Sequence, residues 1–237
     1  MNVIWHDLEC GAYVEDLPLW RELAARHGEP VLDVGAGTGR VALDLGRRGH
    51  RVTALDRDAA LMAELRRRAG GLQVQTVIAD AREFDLQQRF ALCLVPMQTI
   101  QLLGGAAGRA RFLRRARAHL LAGGLLAVAL AEELETYDDE LGGLGALPDM
   151  CERDGVFYCS RPTAIRADRA GFVLERRRET VTNDGHRSVQ DDLVRLDRLT
   201  PLELEREALA AGLRPAGRTT VPQTRDYAAS AVVMLGA

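Results

Sequence analysis

"VLDVGAGTGR", residues 31–40, decides how the rest of the chain is read. A short apolar run feeds the glycine-rich turn Gly35-Ala36-Gly37-Thr38-Gly39, and a helical pattern follows. A turn of this kind at the end of a buried strand holds nucleotide cofactors, because glycine lets a ligand approach the backbone at a helix start. The dinucleotide fingerprint G-x-G-x-x-G would put its third glycine at position 40, where this chain has Arg40. Asp33 lies inside the strand, where a purely structural strand would carry an apolar residue. A carboxylate there needs donors, so it either supports the turn or meets a cationic group of a ligand.

Outward from this turn, short apolar runs recur at 51–56, 74–80, 90–96 and 125–131. Their leucine-rich and β-branched character suits parallel strands buried on both faces. Amphipathic stretches lie between them. Asp58 is placed as an N-cap, with Leu61, Met62, Leu65 and Ala69 on one helical face and Gly70 as the stop. Residues 108–124 carry Phe112, Leu113, Ala116 and Leu120 as an apolar stripe, with arginines on the solvated side. The alternation predicts an α/β fold, a doubly wound, mostly parallel sheet with its ligand at the C-terminal strand ends. Past residue 131 the pattern changes to an acidic loop and then to strand-like stretches, with "NDG" at 183–185 as a hairpin turn. "TPLE" at 200–203 opens a helix with a capping box, and a last strand pair closes the chain. The expected division is a covering helix over 1–29, a cofactor-binding core over 30–135, an antiparallel insertion over 136–198 and a terminal unit over 199–237.

Composition narrows the function. The formal charge of −3 offers no broad phosphate-binding surface, so nucleic acid is not an expected partner. The chain has no lysine, which removes Schiff-base chemistry. The four cysteines show no metal-binding spacing, so no metal is expected and a reducing cytoplasm is the simplest setting. No apolar run is long enough for a membrane span.

"VLDVGAGTGR", "VTALDRD", "VIADARE", "FALCLVPMQTIQLL" and "LLAGGLLAVALAEE" together resemble the successive motifs of the class I S-adenosylmethionine-dependent methyltransferases. The likeness is greatest to small-molecule methyltransferases with an antiparallel insertion after the fifth strand. It implies S-adenosyl-L-methionine as cofactor. By position, Gly35, Ala36 and Gly37 would approach the methionine moiety and Asp33 its ammonium group. Asp56 would take the ribose hydroxyls, with Arg57 beside the adenine. Asp80 and Ala81 would bound the adenine edge, and Val95 or Pro96 would close the pocket. Arg82 covers the base or caps the following segment.

Methyl transfer from a sulfonium needs positioning more than covalent help, so no fixed catalytic dyad is expected. An oxygen acceptor would gain from a base and an amine must arrive unprotonated. His6 is the one histidine read as a base. Tyr13, Gln98, Gln101 and Glu132 are the other candidates near an acceptor. The resemblance places a covering helix at "GAYVEDLPLW", 11–20. The expected activity is transfer of a methyl group to nitrogen or oxygen of a small-molecule acceptor; the rival reading is a noncatalytic cofactor-binding regulator. Residues 156–197 either roof the acceptor site, with Tyr158 and Arg161 facing inward, or pair with a second subunit in a homodimer.

Overall fold

The computed structural model describes residues 3–139, 147–225 and 227–237. The apolar runs form β1 (Val31–Val34), β2 (Val52–Asp56), β3 (Val74–Ile78), β4 (Phe90–Val95) and β5 (Leu120–Leu130). With β11 (Arg214–Val221) and β12 (Ser230–Gly236) they make a seven-stranded sheet in the order β11-β12-β5-β4-β1-β2-β3. The first five pair in parallel, and β12 runs antiparallel to both β5 and β11. Strand order reverses between β1 and β4, which opens a crevice above their C-terminal ends.

Helices α2 (Leu17–His27), α3 (Arg40–Arg47) and α4 (Ala59–Ala69) cover one face around Trp20, Leu45 and Met62. Helices α5 (Gly105–His119) and α6 (Pro201–Ala210) cover the other around Phe90, Phe112 and Leu204. Strands β1, β2 and β4 are buried almost throughout, as their unbroken apolar character requires. Strand β3, expected to be covered on both faces, is instead half-buried or exposed, because it is an edge of the sheet. The capping chemistry is where the residues put it. Asp58 accepts from the amides of Ala60 (2.9 Å) and Leu61 (3.1 Å). Thr200 and Glu203 form a capping box.

A second, antiparallel sheet contains β6 (Tyr137–Asp138), β7 (Asp149–Arg153), β8 (Val156–Ala167), β9 (Gly171–Thr182) and β10 (Arg187–Asp197). Its order is β10-β9-β8-β6, with β7 also paired to β8, and the 183–185 turn joins β9 to β10. Gly185 supplies the left-handed backbone there, with φ of 81°. Glu140, the last residue of the acidic run that begins at Glu132, lies outside the described residues.

The N-terminal segment differs from expectation. It is two helices, α1 (Val3–Cys10) and α2, and "GAYVEDLPLW" straddles the turn between them. Pro18 is the physical reason, because proline without an N–H fits only the first turn of a helix.

Candidate functional site

A cleft of about 900 Å³ opens over the β1/β4 crevice and runs up to the antiparallel sheet. Gly35, Ala36, Asp56, Arg57, Asp80, Ala81 and Pro96 line its lower wall. His6 and Tyr13 close it from the N-terminal segment, and Gln98 stands at the turn after β4. Of the residues expected at the cofactor or acceptor, eleven line this cavity, Arg82 included. Asp33, Gly37, Val95, Gln101, Glu132, Tyr158 and Arg161 do not.

The glycine turn is bare because its neighbours demand it. A side chain at Gly35 would lie 2.6 Å from Thr99, and one at Gly37 would lie 2.1 Å from Nε2 of His6. Both glycines have positive φ, 72° and 55°. The turn's amides are committed within the protein. The amides of Gly35 and Ala36 donate to the Leu55 carbonyl, at 2.8 and 3.1 Å, and Gly39 donates to Ala36. The Gly37 amide donates to Oδ2 of Asp56 at 3.0 Å. A phosphate-cradling loop works by offering such amides to the anion. This turn withholds four of them, so it suits a cofactor with no phosphate at that point.

Asp56 fastens two backbone amides. Its Oδ2 holds the Gly37 amide and its Oδ1 holds the Asp58 amide at 2.9 Å. Each carboxylate oxygen accepts two hydrogen bonds, so each keeps one acceptor position for a ligand in the cleft. Asp80 is clamped by its neighbour: Arg82 donates Nε and Nη2 at 2.9 and 2.5 Å, and its amide at 2.8 Å. These hydrogen bonds draw the Asp80 carboxyl down to about 2. Arg82 thus folds back on Asp80 and also lines the cavity.

Asp33 is fully buried beneath the turn. Neither oxygen has a hydrogen-bond partner of normal geometry among the described residues. Burial pushes its carboxyl up to about 7, with Arg40 and the Ala42 amide pulling the other way. It therefore faces the start of α3, where the helix dipole favours negative charge, and not the cleft wall. Val95 belongs to the opposite core cluster with Leu32 and Val34, so Pro96 alone of that pair reaches the cavity.

Arg40 explains its place in the turn. Its guanidinium holds Asp16 through two hydrogen bonds, 2.5 and 2.8 Å, and the Tyr13 carbonyl at 3.0 Å, while lying 5.0 Å from the Tyr13 ring centre. This pins the α1–α2 turn onto the glycine turn. Tyr13 is buried against Tyr227, ring centres 4.7 Å apart, with its hydroxyl near Ser230. Burial raises that hydroxyl to about 12.

The upper wall is the antiparallel sheet. Pro162 and Ala164 of β8, Leu174, Arg176 and Arg178 of β9, and Gln190, Asp192, Val194 and Leu196 of β10 face the cavity. Strand alternation turns Arg161 outward, where it is about half exposed and pairs with Asp139 at 3.7 Å. Tyr158 does not line the cavity; it packs edge-on against Trp5, 5.5 Å between centres. Gln101 does not line the cavity. Its buried amide bridges the Ala131 backbone (2.8 and 2.9 Å) and the Asp197 carbonyl (2.9 Å), tying the upper sheet to the core. Glu132 is exposed near Arg218, away from the cleft.

The Glu9–Arg178 pair, which carries the upper sheet on α1, escaped sequence reasoning. Arg178 donates to both Glu9 oxygens at 2.7 Å and to Asp192 at 2.8 Å, and Ser160 adds a fourth bond at 2.8 Å. The only signal was the parity of "RRR" at 176–178, which puts Arg176 and Arg178 on one face of a strand and Arg177 on the other.

A family model described as "Methyltransferase domain" matches residues 31–124. The curated ribosomal RNA small subunit methyltransferase A of Deinococcus radiodurans is 41% identical over 61 residues, 26% of this chain and 21% of that protein. The chain thus spans about a fifth of the length of that relative. The sugar N-methyltransferase KedS8 from Streptoalloteichus sp. superposes with a TM-score of 0.75 at 20% identity, covering 98% of this chain and 90% of that one. The S-adenosylmethionine-bound CalS10, an amino pentose methyltransferase from Micromonospora echinaspora, gives 0.73 at 19% identity, covering 100% and 97%. At such identities the likeness is one of fold, and it extends through the antiparallel sheet. Residues 31–124 thus match a methyltransferase domain, and the chain around them has the fold of the class I S-adenosylmethionine-dependent methyltransferases.

Proposed function

We propose that the chain transfers a methyl group to an amino nitrogen of a small, hydroxyl-rich acceptor of the amino-sugar class. The observation that carries this reading is the chemistry of the cavity's upper end. Asp149, Glu175 and Asp192 stand there with Arg176 and Gln190, while Arg178 is spent on the buried Glu9 and on Asp192, and Glu175 also meets Arg166. An excess of carboxylates favours a cationic amine, and the mixed polar wall suits hydroxyl groups. The sugar N-methyltransferase and the amino pentose methyltransferase that share the fold support the same acceptor class.

Under this reading Asp56 holds the ribose hydroxyls, Arg57, Asp80 and Ala81 border the adenine, and Gly35 and Ala36 with Pro96 pass the methionine moiety. Asp33 braces the turn from below. S-adenosylmethionine, when bound, supplies an electrophilic methyl on a positively charged sulfur. The protein's part is to orient the acceptor and exclude water, which serves a reaction that neutralises charge. Tyr13, His6 and Gln98, which all line the cavity, are the residues offered to the acceptor.

Two measurements test the proposal. S-adenosylhomocysteine at about 100 times its dissociation constant should stabilise the fold by about 2.7 kcal/mol, read as a raised Tm, with no shift from NAD. Release of S-adenosylhomocysteine should then appear with amino sugars, and not with phenols, carboxylates or a ribosomal RNA fragment. A shift with NAD alone overturns the cofactor reading. Turnover confined to the RNA or the phenols overturns the acceptor reading.

A further inference from the structure

His6 sits at the end of a chain of hydrogen bonds that the methyl-transfer reading leaves unexplained. Arg68 on α4 grips both oxygens of Asp7, with Nη1 to Oδ1 at 2.9 Å and Nη2 to Oδ2. Asp7 accepts the Thr38 hydroxyl at 2.7 Å, and Thr38 Oγ1 lies 3.3 Å from Nδ1 of His6. Thr38 belongs to the glycine turn, so the chain links α1, α4 and the cofactor loop.

The proton positions follow from donor counting. Burial alone would raise the Asp7 carboxyl, but the hydrogen bonds from Arg68 and Thr38 outweigh it and hold the group below its ordinary value. Asp7 is therefore an acceptor only. Thr38 has one hydroxyl proton, and the short contact to Asp7 claims it. If Nδ1 of His6 were bare, two lone pairs would face each other across 3.3 Å. Thr38 must accept, and Nδ1 must carry the proton. Nε2 then holds the lone pair. It has no hydrogen-bond partner among the described residues, is not sealed from solvent, and lies over Gly37 on a side chain that lines the cleft.

We propose that Asp7 and Thr38 are positioning residues that lock His6 in the Nδ1–H form, so that Nε2 takes a proton from the acceptor's ammonium group. This rests on the amine reading given above. The step is a simple transfer: one N–H bond of the ammonium breaks, its electron pair stays on nitrogen as the nucleophilic lone pair, and His6 becomes an imidazolium. The proton passes to solvent when the product leaves. Burial favours the neutral ring beforehand, against the pull of Asp7, Asp56 and Glu9 and with the help of Arg68. An orienting partner on the far nitrogen of a base histidine is a recurrent way to fix its tautomer.

Long-range proton–nitrogen NMR of histidine-labelled protein at neutral pH reads the tautomer directly and needs no substrate. The expected spectrum shows His6 protonated at Nδ1 and bare at Nε2. Thr38→Val should mix the two tautomers and lower kcat for an amine acceptor about tenfold at saturating S-adenosylmethionine. Thr38→Ser should restore both the spectrum and kcat, and His6→Asn should lower kcat further than Thr38→Val. An Nε2–H ring or a doubly protonated ring in the unaltered protein overturns the proposal, as does a Thr38→Val variant with full kcat. Should no amine be turned over at all, the amine reading fails and the base role with it. The tautomer result separates that failure from one in which amines react but His6 is wrongly protonated.

Discussion

Arg178→Met should destabilise the protein by about 3–5 kcal/mol, because it leaves the Glu9 carboxylate buried without its main partner. The pair is closed to solvent: the side chains of Arg178 and Glu9 are 7% and 4% exposed. Arg178 gives Glu9 two hydrogen bonds, while Arg176 stands off at 3.8 Å and Ser160 supplies only one. In a chain of this size the loss corresponds to a Tm lower by about 10 °C. Adding Glu9→Gln should recover most of it, since a neutral amide no longer needs the guanidinium. The sign of the pH dependence makes the test sharper. In the unaltered protein, burial pushes Glu9 up, but Arg178, Arg176 and Ser160 together hold it below the ordinary carboxylate value. Its contribution is therefore present above that value and lost as pH falls through the lowered one. In Arg178→Met burial wins, Glu9 takes up a proton earlier, and the deficit against the unaltered protein should narrow in mild acid. Melts across the acid range check this. A deficit under about 1 kcal/mol at neutral pH, or one that widens in acid, would show that the pair does not hold the upper sheet to α1.

The same pair shows where sequence reasoning stops. Glu9 and Arg178 are 169 positions apart, and each reads alone as a solvated charge. Only the three-dimensional return of β9 over α1 makes them partners. The aspartates of the cofactor region were legible for the opposite reason. Asp56 and Asp80 follow apolar strands directly, and their partners Gly37, Asp58 and Arg82 lie within the same unit or two residues away. Val95 was ambiguous because β4 is buried on both faces, so apolar character carried no parity to say which side chains look at the cavity. Gln101 was misleading because the short 3-10 turn Thr99–Leu102 rotates it inward from the crevice. Its amide then serves the backbone of Ala131 and Asp197, a long-range pairing like that of Glu9. That tie, with the Asp197 carboxylate on the Gly105 amide (2.6 Å) and Arg109 (3.0 Å), makes the antiparallel sheet part of the core's support. Met97 was unreadable: its φ of 53° at the cavity edge is a conformation that a methionine gives no local reason to adopt.

Asp56→Ala should weaken S-adenosylhomocysteine binding about a hundredfold, the loss expected when a charged acceptor of two hydroxyl hydrogen bonds disappears. Part of that loss could instead arise through the turn, because Asp56 also fastens the amides of Gly37 and Asp58. Two controls separate the causes. Asp56→Asn keeps one acceptor oxygen and the shape of the side chain, so it should lose about tenfold. A deoxyribose analogue of S-adenosylhomocysteine removes a hydroxyl from the ligand side. It should bind the unaltered protein more weakly than the parent compound, yet bind Asp56→Ala no more weakly than the parent does. That closed cycle isolates the carboxylate–hydroxyl contact from any loosening of the loop, because loop damage penalises both ligands alike. Calorimetric titration supplies the four dissociation constants. If the analogue loses as much affinity for the alanine variant as for the unaltered protein, the hydroxyls are held elsewhere and Asp56 serves the turn alone. If the loss vanishes in the variant, the carboxylate at the end of β2 is the ribose ligand, and the glycine turn is its scaffold.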